Sequence, residues 1–218
     1  MPPEIKFCGM TREVDIQHAV SLGARYIGVI FAEGPRMVDV RRARDLLRDV
    51  PPGVGRVGVF GRDPDPAAVA DAARAAGAGV IQLHGDPDGN AVLRIRQHFD
   101  GPVWAAVRVR GGMLPALAAD LFGAADAVVL DAYSPTSLGG TGVALPWTGL
   151  ADALATVRRR GRLVLAGGLR PETVGEAVRA LRPDIVDVSS GVEVSPGVKD
   201  HRKLRAFRDA VSASGDRS

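Results

Sequence analysis

One thiol, one carboxylate at the end of an apolar run and two glycine-rich turns carry most of the chemistry open to this 218-residue chain. Cys8 is the only cysteine and follows the apolar start of EIKFCGM (4–10). A thiolate is a base or a nucleophile where its pKa is lowered, whereas a free cysteine in apolar surroundings packs as a small hydrophobe. Asp131 closes the otherwise apolar AVVLD (127–131). A carboxyl group with little solvent contact stays protonated more readily and suits a general acid; alternatively it caps the following loop by accepting hydrogen bonds. Arg36, in EGPRMV (33–38), has the planar fork that grips a carboxylate at two points, and is equally an ordinary surface-loop arginine. Gln82 and His84 share one face of VIQLHG (80–85), as Lys6 and Cys8 share one face of their segment. His84 is either a polar wall residue of a site or a core histidine with a satisfied hydrogen bond.

The two turns are AGGL (166–169) and SSGVE (189–193). Gly167 and Gly168 would let backbone N–H groups approach a ligand closely. Ser190 and Gly191 add a hydroxyl, more N–H groups and the expected start of a short helix. Together they suit a phosphate; taken singly, each is also an ordinary tight turn.

Positioning these groups requires elements. Eight short apolar or β-branched runs recur along the chain, at 4–10, 26–31, 56–60, 80–85, 103–109, 127–132, 163–168 and 185–191. Being apolar on both faces, they suit parallel strands buried on both sides. Helical patterns lie between and after them, at 12–24, 40–50, 65–78, 90–99, 112–122, 149–159, 170–181 and 200–211. Thr11 is the expected N-cap of the first helix. Asp65, Pro66 and Gly77 mark the start and end of the third.

Strict strand–helix alternation, eight times over, predicts an α/β fold, a single (β/α)8 TIM barrel over residues 1–212, with 213–218 a disordered tail. A doubly wound open sheet is the competitor. It commonly has a G-x-G-x-x-G turn after its first strand; here that turn reads CGMTRE. In a barrel the active site lies at the C-terminal ends of the strands. Cys8, Arg36, Gln82, His84, Arg108 and Asp131 all fall there, and the two glycine-rich turns follow strands seven and eight, where many barrels hold phosphate.

Composition narrows the partners. With 28 basic against 25 acidic residues, the charge is +3. The longest basic cluster, VRRRGR (157–162), reads as a solvated helix end, so no nucleic-acid partner is expected. A single cysteine excludes an internal disulfide framework and fits a reducing compartment. No run of 18 apolar residues and no signal pattern is present, so the expectation is a cytoplasmic protein with no membrane partner. The four histidines, at 18, 84, 98 and 201, lack metal-ligand spacing, and no structural zinc site is expected.

With these residues assembled, the chain resembles the phosphoribosylanthranilate isomerases of tryptophan biosynthesis. The resemblance is carried, in order, by KFCGMT (6–11), GPRMV (34–38), IQLHGD (81–86), VLDAYSPTSLGGTG (129–142), LAGGLRPETV (165–174) and DVSSGVEVSPGVKD (187–200). It implies an Amadori rearrangement of a small phosphorylated substrate that needs no metal or cofactor; a monomer or homodimer is expected. It further implies Cys8 as general base, Asp131 as general acid and Arg36 as the grip on the anthranilate carboxylate. Phosphate would lie at Gly167–Gly168 and Ser190–Gly191, and Asp187 would lie close to the ribose. The chain departs from the family pattern at Leu145 and Pro146 after GGTG, at Thr173, and at Gly34 and Met37 around Arg36.

Two other readings compete. The related sugar isomerase of histidine biosynthesis resembles two half-barrel repeats with an aspartate on each half's first strand; this chain has Cys8 there and no half-chain repeat. A non-catalytic phosphosugar-binding barrel shares the fold. The composition of SPTSLGGTG (134–142) is that of a mobile lid, and of three lysines only Lys6 is placed to carry an enzyme-bound Schiff base.

Overall fold

The computed structural model describes residues 1–61, 65–109, 113–131, 147–158 and 161–215, with 147–149 by backbone alone. The expected lid at 134–142, Leu145, Pro146 and residues 216–218 lie outside the described residues.

Eight parallel strands close into a barrel in sequence order, the first pairing with the eighth. They are β1 (Glu4–Phe7), β2 (Tyr26–Ile30), β3 (Gly55–Phe60), β4 (Val80–His84), β5 (Val103–Arg108), β6 (Ala127–Asp131), β7 (Arg162–Ala166) and β8 (Ile185–Val188). The helices are α1 (Glu13–Ser21), α2 (Val40–Leu47), α3 (Pro66–Ala76), α4 (Gly89–Arg96), α5 (Ala118–Ala124), α6 (Trp147–Val157), α7 (Val174–Leu181) and α8 (His201–Ser214). A 3-10 turn (Ser190–Val192) and a hairpin of β9 (Glu193–Ser195) and β10 (Val198–Lys199) fill the connection from β8 to α8.

Alternation along the strands makes two cores. One face of β6, with Val128 and Leu130, packs outward under the helices, together with Phe7, Ile27, Ile81, Val107 and Leu163. Its other face, with Ala127 and Val129, points into the barrel beside Val57, Val59, Val80, Trp104, Val164 and Ile185. Trp104 fills much of that interior, edge-on to Tyr26 at 4.9 Å between ring centres.

The helix ends explain most of the boundaries. Asp65 accepts from the backbone N–H of Ala68, Pro66 opens α3, and Gly77 ends it in the left-handed conformation, as expected. Asp39, Asp88 and Asp200 cap α2, α4 and α8 in the same way. Thr11 does not cap α1; Arg12 holds that position, and the Thr11 hydroxyl instead donates to the Gly197 carbonyl of the hairpin. Helix α5 begins at Ala118 rather than 112, after Pro115, and α7 begins at Val174 after a turn through Pro171. Helix α8 runs to Ser214, two residues past the expected boundary at 212.

Candidate active site

Cys8 leaves β1 at the mouth of the barrel, its N–H donating to the Val188 carbonyl at 2.9 Å. It is buried, 6% exposed, with its thiol in the inner core. Two glycines make room for it. Gly28 of β2 lies alongside: a Cβ there would come within 2.8 Å of the Cys8 Sγ and 3.2 Å of the Lys6 Cε. Gly9 turns the chain at φ 68°, and a Cβ there would meet the Arg36 Cδ at 2.6 Å and the Ser189 Oγ at 2.8 Å. The residue after the thiol is therefore glycine for both conformation and space.

Beneath Cys8, the fully buried Lys6 ammonium donates to Asp187 Oδ2 at 2.6 Å and to Gln82 Oε1 at 3.0 Å. Three strands, β1, β4 and β8, thus meet through one cation. Burial opposes the charge on Lys6, but Asp187, and after it Cys8, hold the proton on, and its pKa is raised. Lys6 is committed to these partners and is not available to carry a Schiff base. Asp187 Oδ1 is buried with no hydrogen-bond partner among the described residues. At Cys8, burial pushes the thiol up, Lys6 and Lys199 pull it down, Asp187 pushes it up, and the balance is upward.

Arg36 sits on the loop after β2, which is held by the Ile30–Met37 bridge. Gly34 in that loop has φ 141°, which accounts for glycine at this departure from the family pattern. The guanidinium is paired with an internal carboxylate that the sequence analysis did not single out: Nε donates to Glu193 Oε1 at 2.8 Å and Nη2 to Oε2 at 2.6 Å. Glu193 also accepts from Lys199 Nζ at 2.8 Å. Lys199 is fully buried and donates further to the carbonyls of Cys8, at 2.6 Å, and Ser189, at 3.2 Å. Burial opposes the Glu193 charge, but Arg36 and Lys199 outweigh it and its pKa is lowered. For Lys199 burial wins over Glu193, and its pKa is lowered too.

Asp131 ends β6, three strands from β1 around the ring, with β7 and β8 between them. It is not isolated among apolar groups: it is 23% exposed and lies 3.2 Å from His84 Nε2. His84 is a wall residue with a defined partner. Beyond it, Asp86 adopts φ 58° and accepts from the Arg108 N–H at 2.7 Å, fixing the loop after β4 against β5.

The two expected phosphate turns touch. Gly167 and Gly168 both have positive φ, 87° and 65°. A Cβ on Gly191 would lie 1.8 Å from the Leu169 carbonyl oxygen, so only glycine lets the loop after β8 cross the loop after β7. Ser190 and Gly191 open a three-residue 3-10 helix, Ser190–Val192, at the place of the expected short helix.

The structure therefore gathers Cys8, Arg36, Gln82, His84, Asp131, Asp187 and the glycine turns around one end of the barrel, where the strands finish. Sequence reasoning missed Glu193 and Gly28. The alternation in EVSPGVK (193–199), broken by Pro and Gly, could have marked the hairpin that pairs Glu193 with Lys199. Nothing in YIGVIF marks what Gly28 faces. Among the described residues no helix is long and apolar enough to cross a membrane, and no group of three or more His, Cys, Asp or Glu is arranged to hold a metal.

Residues 5–210 match the family model described as N-(5'phosphoribosyl)anthranilate (PRA) isomerase. The N-(5'-phosphoribosyl)anthranilate isomerase of Dechloromonas aromatica (strain RCB) is 41% identical over 212 residues, 97% of either chain. The fold is similar to the crystal structure of phosphoribosyl anthranilate isomerase from Thermotoga maritima, with a TM-score of 0.86 and 32% identity over 97% of this chain and 99% of that one. It is also similar, with a TM-score of 0.82 and 31% identity over 97% and 99%, to a phosphoribosyl anthranilate isomerase in complex with reduced 1-(o-carboxyphenylamino)-1-deoxyribulose 5-phosphate.

Proposed function

Because the chain belongs to the N-(5'-phosphoribosyl)anthranilate isomerase family, we propose that Cys8 and Asp131 are the base and the acid of its reaction. The protein is an aldose–ketose isomerase of L-tryptophan biosynthesis. It converts N-(5-phosphoribosyl)anthranilate to 1-(2-carboxyphenylamino)-1-deoxyribulose 5-phosphate by an Amadori rearrangement.

Asp131 protonates the furanose ring oxygen, and the ring opens to a Schiff base. The Cys8 thiolate removes the C2 proton, giving an enolamine that tautomerises to the ketone. Proton transfers alone balance this sequence, so the reading includes no metal or cofactor. The observation that supports it is the thiol and the carboxylate at the ends of β1 and β6, three strands apart around one mouth. Each positioned group contributes about 10²- to 10⁴-fold. His84 holds the Asp131 carboxyl at the mouth, and the Lys6 charge offsets part of the burial that opposes the thiolate.

Binding at the two substrate ends fixes the reacting carbons between acid and base. Arg36 takes the anthranilate carboxylate. The touching turns at Gly167–Gly168 and Ser190–Gly191 take the phosphate, and Asp187 Oδ1 and Gln82 face the ribose. The enzyme works in the cytoplasm as a monomer or homodimer. The reaction is tested by adding purified protein to fluorescent phosphoribosylanthranilate. Loss of fluorescence is expected, and a folded protein that leaves it unchanged contradicts the reading.

A further inference from the structure

Arg36 is the group assigned to the substrate carboxylate, yet it already holds a carboxylate. A guanidinium has five N–H donors in a rigid fork, and Glu193 uses two of them, on Nε and Nη2. The occupied edge is the side-on one. The end-on edge, formed by Nη1 and the second hydrogen of Nη2, is geometrically separate and can grip another carboxylate in two places. The Arg36 side chain is 23% exposed while that of Glu193 is 5% exposed, so the pair has an inner and an outer member.

Glu193 is itself fixed from several sides. It lies opposite Lys199 in the hairpin register, accepts from its ammonium at 2.8 Å and accepts from the Gly197 N–H at 3.3 Å. The same ammonium binds the Cys8 carbonyl at 2.6 Å, so the brace for Arg36 is tied to the strand end that carries the thiol. Charge counts in the same direction. Arg36 and Lys199 are two cations and Glu193 is one anion, which leaves one positive charge to meet one substrate carboxylate. Without Glu193 the two cations would repel, and Arg36, a long side chain over Gly9, would have no partner to define its position.

We propose that Glu193 is a positioning residue that grips the side-on edge of Arg36 so that the end-on edge is presented to the substrate carboxylate beside Cys8. The inference rests on the assignment of Arg36 to that carboxylate. Glu193 touches no reacting atom in this role. Its loss should therefore weaken recognition of the carboxylate specifically and leave the chemistry of the bound sugar largely intact.

The test compares two substrates, phosphoribosylanthranilate and the phosphoribosyl derivative of aniline, which lacks the carboxylate. Losing hydrogen bonds to a charged group corresponds to about a tenfold or greater effect. Glu193→Gln should raise KM for the carboxylated substrate by about that factor, change kcat by no more than a few-fold, and leave kcat/KM for the aniline substrate nearly unchanged. An equal loss on both substrates would make Glu193 merely structural, and a lowered KM would make it a competitor for Arg36; either overturns the inference. Arg36→Ala separates the two levels. If it discriminates between the substrates and Glu193→Gln does not, the inference fails while the Arg36 assignment stands. If Arg36→Ala does not discriminate, both fail. Should Glu193→Gln not fold, Glu193→Asp keeps the charge but shortens the reach, and the same substrate comparison decides.

Discussion

The Lys6 ammonium lies 2.6 Å from the Asp187 carboxylate inside the barrel, one side-chain layer below the Cys8 thiol. The pair joins the first and last strands of a closed sheet, and it places a buried positive charge near the Cys8 thiol. Removing one member of such a pair leaves the other as an uncompensated buried charge. Lys6→Met should therefore cost about 3–5 kcal/mol in denaturant unfolding. The double variant Lys6→Met/Asp187→Asn should recover a substantial part of that loss. A Lys6→Met protein of normal stability would show that the pair does not hold the barrel together.

Burial pushes the Cys8 thiol up against the pull of Lys6 and Lys199, and the net shift is upward. At any given pH the thiolate fraction of Cys8 is therefore smaller than that of a free cysteine. Alkylation of Cys8 by iodoacetamide should be slow at neutral pH and should rise with a midpoint above the ordinary thiol range. A midpoint below that of a free thiol would contradict the balance of charges described for this site.

Gly28 is the neighbour that leaves room for the thiol. Its φ is not in the left-handed region, so Gly28→Ala is free of backbone strain, but the added methyl would sit 2.8 Å from Sγ and 3.3 Å from the Cys8 Cα. Overpacking of this kind costs about 1–3 kcal/mol. A displaced base lowers the chemical step more than binding, so kcat should drop at least tenfold or so while KM changes little. Wild-type kcat in Gly28→Ala would mean that the thiol does not need its observed position.

His84 lies 3.2 Å from Asp131, and in the proposed mechanism it acts through that carboxyl group. His84→Ala should lower kcat, and adding it to Asp131→Asn should lower kcat no further, because the two act as one unit. Additive losses measured in that double-mutant cycle would give His84 a role of its own.

The sequence and the structure agree where a rule is local. The alternation of apolar runs with amphipathic segments gave the barrel, because a strand buried on both faces differs from a helix within a few residues. Asp65, Pro66 and Gly77 gave the ends of α3 because capping involves neighbours. The positions of Cys8 and Asp131 followed once the strands were counted. Arg36–Glu193 and Cys8–Lys199 were not legible, since 157 and 191 residues separate the partners and only barrel closure brings them together. Gly28 was silent for the same reason: the atoms it would strike belong to β1. Thr11 followed its local preference less than its distant one, giving its hydroxyl to Gly197 rather than to α1.

The central claim is that one thiol and one carboxyl group perform the two proton transfers. Turnover of phosphoribosylanthranilate by Cys8→Ser and by Asp131→Asn, each shown to be folded by its circular dichroism and thermal melt, tests it most directly. Each variant should lose about 10²- to 10⁴-fold in kcat, the range for a positioned acid or base. Near-normal kcat in either folded variant would contradict the role given to that residue.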